Sequence, residues 1–134
     1  MTDEEYAKTG REVIANGALR ELRDRLRLTR NAMSELLHTS PITYTSWEVR
    51  PDVRIWEVTA VRVGRFYQTA MIELDLLRDD GIDLAGLVPF HLVATHLGVP
   101  QELLLARYRA EDFPAVDAGI LGLWVRQADI DEIG

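Results

Sequence analysis

The chain has 134 residues, 47% of them hydrophobic and 28% charged, which is ample for a folded core and excludes a disordered polymer. With no cysteine there is neither a disulfide framework nor a thiolate metal site, and no apolar run reaches membrane-spanning length. The net charge of −7 argues against a nucleic-acid partner only until it is divided: residues 1 to 69 hold 11 basic and 10 acidic side chains, residues 70 to 134 hold 4 and 12.

The first residues, Met-Thr-Asp-Glu-Glu, lack the basic start of a signal peptide, so a cytoplasmic protein without a membrane partner is expected. Residues 1 to 17 begin acidic and close at Asn16-Gly17, with Val13 and Ile14 as the main apolar pair; a frayed start and a short helix both stay open. Beyond Gly17, the spacing of Leu19, Leu22, Leu26 and Leu28 builds one apolar stripe and predicts a helix over 19 to 26. Arg20, Arg23, Arg25, Arg27 and Arg30 lie largely off that stripe, and Arg20 and Arg23 read as a solvated helix face.

Two short helix signals then meet with almost no loop between them. Thr29 can cap a helix whose inner face carries Met33, Leu36 and Leu37. Ser40 can cap the next, with Pro41 at its first position, where the missing N–H would have had no partner. The apolar positions of this second helix are Tyr44 and Trp47, which predicts that both are core. Helices this short do not persist alone in water, so they must pack at an angle on each other and on a neighbour, as in a helix-turn-helix.

Val49-Arg50-Pro51-Asp52-Val53-Arg54 follows as a turn with two arginines. A long helical pattern runs from Ile55 through Val58, Val61, Val63, Phe66, Met71, Leu74 and Leu77, with Gly64 as a weak point where it can divide in two. From about Gly86 the pattern is a helix with His91, Val93, Ala94 and Leu97, a turn at Gly98, and a helix over 100 to 110. Phe113-Pro114-Ala115-Val116, a glycine-rich turn, an apolar stretch to Arg126 and a helix over 128 to 133 complete it. His91 and His96 are five apart and off one helical face, so they read as satisfied or exposed histidines rather than metal ligands. No Walker loop, dinucleotide glycine pattern or nucleophile elbow occurs, and the carboxylates of the second half fall on turns and helix ends. No catalytic residue, metal or cofactor is therefore expected, and the chain is not read as an enzyme.

Residues 19 to 66 resemble the Cro and lambda-repressor type of helix-turn-helix. In that register Thr29 and Arg30 open the first motif helix, Ser34 is the small residue where the two helices touch, and Glu48 closes the recognition helix. His38 stands where the family has its turn glycine and Thr39 where it has a buried Val or Ile. Histidine tolerates positive φ and Thr keeps a β-branched methyl, so both are bearable. The last 46 residues or so resemble the excisionase-like winged helix, although the hairpin segment from Asp117 to Gly122 carries no basic residue.

These resemblances imply a mostly α fold: an N-terminal helix-turn-helix bundle (1–66), a connecting helix and linker (67–87), and a small winged-helix-like C-terminal domain with a short β-hairpin (88–134). They imply double-stranded DNA as partner, with the recognition helix from Ser40 to Glu48 in the major groove, Ser40 among its DNA-binding residues, Pro41, Ile42, Thr43 and Ser46 toward bases, Thr45 toward the backbone or a base, and Arg30, Arg50 and Arg54 on phosphate. The function implied is that of a sequence-specific transcriptional repressor similar to phage immunity repressors, acting by operator occupancy. The alternatives are an antitoxin or interaction adaptor with an autoregulatory helix-turn-helix, and an excisionase-like architectural protein. Without Arg, Asn or Gln on the reading helix such a protein needs reinforcement, either by forming a homodimer on a palindrome or through its second domain. That domain would support the first by packing or self-association through Leu103, Leu104 and Trp124. Otherwise Gln101, Arg107 and Arg109 would reach a second groove, the protein binding as a two-domain monomer.

Overall fold

A computed structural model describes residues 1 to 133, so the last residue of the expected C-terminal domain, Gly134, lies outside the described residues. The described chain is mostly helical, with eight α-helices and a small three-stranded antiparallel sheet, and it divides into two compact units, residues 1–72 and 73–134.

The first unit opens with a full helix, not a frayed end: α1 (Asp3–Ala15) is capped by Thr2, whose hydroxyl accepts from the Glu5 N–H at 3.2 Å, and has three acids in its first turn. Asn16 and the left-handed Gly17 turn the chain into α2 (Ala18–Arg25), which buries Leu19 and Leu22. Thr29 caps α3 (Arg30–Leu36) through the Ala32 N–H at 3.1 Å, and Ser40 caps α4 (Pro41–Val49) through the Thr43 N–H at 3.1 Å. Between α3 and α4, His38 takes a φ of 55°; its N–H reaches Glu35 O at 3.1 Å and the Thr39 N–H reaches Ser34 O at 3.0 Å. Those paired bonds close a helix end on a left-handed residue, the place where glycine is usual. The end of α2 closes in the same way on Arg27, also at φ 55°.

α5 (Glu57–Asp79) is one continuous helix, and Gly64 does not divide it. Gly64 is instead a point of close approach. A Cβ there would overlap the Tyr6 carbonyl, and a Cβ on Gly10 would overlap the Ala60 carbonyl, so α1 and α5 cross with their backbones in contact. Ala60 and Val63 are fully buried beside the crossing, and Phe66 and Ala70 continue the buried row at helical spacing. Met33, Leu37, Tyr44 and Trp47 fill the space between α3, α4 and their neighbours, and the Tyr44 and Trp47 rings meet edge to face at 5.9 Å. Ser34 of α3 is fully buried and donates its hydroxyl to Asn31 O at 2.7 Å; Thr39 is half-buried.

In the second unit, the residues of α5 from Glu73 onward lead through Gly81 to β1 (Val88–Pro89), α6 (Phe90–Leu97), α7 (Gln101–Arg109), β2 (Val116–Asp117), β3 (Leu123–Val125) and α8 (Gln127–Ile133). The hairpin expected from the glycine-rich turn is β2–β3, and β1 adds a third strand that two residues were too few to announce. The order is β1-β3-β2, with Val88 opposite Val125 and Val116 opposite Trp124. Phe90, Val93, Leu104, Phe113, Val125 and Ile130 form the core, with Phe90 and Phe113 edge to face at 6.0 Å. Leu104 and Trp124 are each only 1% exposed, the latter donating its indole N–H to Leu121 O at 3.0 Å. They are therefore interior residues and not the association surface expected of them; of the three residues proposed for it, Leu103 alone is exposed.

Candidate nucleic-acid interface

The first unit holds α4 with one end exposed and the other tied down by a buried ionic cluster. Tyr44, Trp47 and Glu48 turn inward, because positions three and four apart share a helix face. Glu48 has only 3% of its side chain exposed, and every lone-pair direction it offers is used. Arg23 from α2 grips it with two parallel bonds, Nε to Oε2 at 2.7 Å and Nη2 to Oε1 at 3.0 Å, while its Nη1 donates to Leu28 O at 3.0 Å. Arg30 from α3 adds Nε to Oε1 at 3.1 Å, and the Tyr44 hydroxyl donates to Oε2. Three helices are thus joined through one carboxylate. A solvated face does not describe Arg23, whose side chain is 13% exposed; Arg20, with 57% exposed beside Asp24, fits that description.

Burial by itself would push the Glu48 carboxyl up, but the hydrogen bonds from Arg23 and Tyr44 and the positive charge of Arg23 outweigh it and hold the group below the usual carboxylate range. Desolvation first, and then the bond to Glu48, push the Tyr44 hydroxyl well up, so it stays a donor. The bond to Glu48 likewise raises Arg23. The cluster therefore persists as an ionised carboxylate with cationic and neutral donors across the neutral range.

At the other end of α4, Ser40, Pro41, Ile42 and Thr43 are exposed, Ile42 at 84%, and Thr45 and Ser46 are half-buried. Their hydroxyls are wired locally. Ser40 Oγ donates to Thr43 Oγ1 at 2.8 Å and Ser46 Oγ donates to Thr43 O at 2.6 Å. Thr43 then has its own O–H to give, whereas Ser46 has lone pairs left to accept with. Ile42, 84% exposed, stands beside the Thr43 hydroxyl in the first turn of α4.

The arginines sort by their company. Arg20, Arg23, Arg30, Arg65, Arg78 and Arg107 each meet a carboxylate within 4.0 Å. Arg50, which ends α4, and Arg54 in the loop after it are exposed and make no ion pair among the described residues. Arg30 differs from them in that its Nε is committed to Glu48, although 41% of its side chain is exposed. In the second unit, Gln101 and Arg109 occupy the first and last positions of α7, both exposed. Arg107 is held to Asp112 at 3.2 Å and lies over the Phe113 ring at 5.9 Å. The structure places Ser40, Pro41, Ile42 and Thr43 on the exposed N-terminal end of α4, with Ser46 one turn on and Arg50 and Arg54 beyond the other end; it does not gather Gln101, Arg107 and Arg109 into one cluster.

Sequence reasoning left the role of Glu48 and Arg23 unread. One signal was present, since Glu48 stands four residues after Tyr44 and so shares a row with a residue recognisable as core. Among the described residues there is no group of three or more acidic, histidine or cysteine side chains placed to hold a metal ion, and no helix is long and apolar enough to cross a membrane. No family model, curated protein or solved structure matches the chain.

Proposed function

We propose that this protein is a sequence-specific DNA-binding transcriptional repressor of the phage immunity kind, occupying an operator that overlaps a promoter. The α3–α4 pair serves as a helix-turn-helix and α4 as its recognition helix. What supports this reading is the exposed Ser40–Thr43 end of α4, anchored from behind by the Arg23–Glu48 cluster and followed by two arginines without an ion pair among the described residues. A reading helix must be rigid in its own domain yet present its first turn to the major groove. Thr43 would donate to a purine N7 or a thymine O4, Ser46 would accept from an amino group, and Ile42 would cover a thymine methyl. Arg30, Arg50 and Arg54 would contact phosphate, which fixes register without reading sequence.

The second unit, with its sheet and helices read as a winged helix, has a different balance. Residues 88 to 134 hold three arginines against seven acids, and half of the obvious phosphate reach, Arg107, is already bound to Asp112. A supporting role accords with that charge; a second contact through Gln101 and Arg109 is the other arrangement. Gel shift with the DNA upstream of the protein's own gene tests the whole reading. A discrete complex that survives competitor DNA and weakens steeply with salt is expected. Binding to a basic protein with no shifted DNA would instead favour the adaptor alternative, for which the −8 charge of residues 70 to 134 is the motive.

A further inference from the structure

Trp56 is 85% exposed, the most exposed large apolar side chain among the described residues, although its two fellow tryptophans, Trp47 and Trp124, are 4% and 1% exposed. An indole left in water at the start of a helix is costly unless something covers it in use. It does not stand alone. Arg11, Arg54, Ile55 and Trp56 line one hollow, and Arg11, Arg54 and Ile55 also line its neighbour with Ala15, Pro51, Asp52 and Val53. The two hollows make a groove between α1 and the loop leading out of α4. Neither Arg11 nor Arg54 has an ion pair among the described residues, and Lys8 stands one turn before Arg11 on the same row of α1. Asp52 is the one acid at the groove.

From this we infer that the groove is a sugar–phosphate subsite: Arg11 is a further phosphate contact, and Trp56 with Ile55 covers the deoxyribose face of the strand that Arg54 engages. The inference rests on the DNA-binding reading and extends it to a part of the first unit that has no place in the helix pair itself. Two groove arginines without an ion pair among the described residues, against the single carboxylate of Asp52 in the lining, ask for an anion, and an exposed indole beside them asks for an apolar surface next to that anion. A nucleic-acid backbone supplies both at once. An acidic peptide would satisfy the arginines equally, but the loop lining the groove runs on from Arg50 at the C-terminal end of α4, so a duplex lying along that helix would have its flanking strand close to Arg50 and Arg54.

Because the contact is with backbone, the intact protein and mixed-sequence duplex DNA suffice as a test. Acrylamide quenching of tryptophan emission reports Trp56 almost alone, since the other two indoles are buried. Addition of DNA should shield it by several-fold. Arg11→Ala should lower the magnitude of the slope of log affinity against log salt by about one unit, and Arg11→Lys should restore it. Trp56→Ala should weaken binding several-fold while leaving that slope in place. A saturated complex in which Trp56 stays open to quencher, or an R11A protein with the full slope, overturns the subsite while leaving DNA binding intact; such a result, joined to shielding by an acidic peptide, reassigns the groove to a protein partner. Absence of any DNA complex at low salt overturns the parent reading as well.

Discussion

Glu48, in the last turn of α4, is gripped by both Nε and Nη2 of Arg23, 25 residues earlier on α2, with its second oxygen shared by Arg30. Because the pair is buried and bidentate, removing either member leaves a largely buried charge with only a lesser partner, Arg30 for Glu48 and the exposed Asp24 for Arg23. Glu48→Ala should cost about 3 kcal/mol or more of unfolding free energy. Replacing Arg23 and Glu48 together by apolar residues of similar volume should recover most of that loss. Urea unfolding of the two single variants and the double variant checks it; single variants within experimental error of the parent would show the cluster to be idle.

The same carboxylate sets a pH dependence. Its folded pKa lies below the unfolded value of about 4.3, so its contribution is complete at neutral pH and is lost as pH falls from the unfolded value through the folded one. Glu48→Gln should flatten the fall in denaturation midpoint between neutral pH and strong acid, relative to the parent. A parent and variant that decline in parallel would assign the acid sensitivity to other carboxylates.

Gly64 offers a test of sign. By propensity alone, Ala in the middle of a helix should stabilise by about 0.5–1 kcal/mol. At this crossing the added methyl meets the Tyr6 backbone, which has no side-chain rotamer by which to yield, so Gly64→Ala should destabilise by about 1–3 kcal/mol. Gly10→Ala should do the same against Ala60. Thermal melting decides the direction, and a raised midpoint for either variant would contradict the backbone contact.

On α4 the two faces should separate cleanly. Trp47→Ala should lose about 3–5 kcal/mol of stability, whereas Thr43→Ala, at an exposed position, should melt within about 0.5 kcal/mol of the parent yet give up on the order of 1–3 kcal/mol of discrimination at one base pair. Melting curves beside a binding scan over single-base operator variants would show whether that separation holds.

Arg50→Ala and Arg54→Ala should each reduce the salt dependence of DNA binding by about one unit without altering the melting temperature. Arg30→Ala should alter both, because its Nε also serves Glu48. Equal stability in all three variants would mean that the Arg30 bond contributes nothing in solution.

What could be read from the sequence was mostly local. Thr29 and Ser40-Pro41 announced two helix starts, Tyr44 and Trp47 announced their inner face, and His38 takes the positive φ that the resemblance expected at its position. Each depends on residues within one or two turns. Arg23 and Glu48 were not legible in that way, because nothing in an exposed-looking arginine row says which member will find a carboxylate 25 residues on. Arg27 closes α2 in a left-handed conformation without being a residue that favours one. Gly64 was legible only as a weak point in its helix; its role as a close approach depends on α1, whose own helical character the sequence left open. Two-residue β1 was beneath the length at which alternation can be seen.

The crossing of α1 on α5 also limits how this sequence can drift. A side chain at position 10 or 64 is refused by a carbonyl, not by a neighbour that could shrink in response, so no single compensating substitution restores the fit. Divergent descendants should then keep both glycines long after the surface of α4 has changed to suit other partners. The pair is a search key: a chain with a glycine near the middle of its first helix, and another within its long helix downstream of a Ser-Pro start, is a candidate relative even where the rest of the sequence no longer aligns.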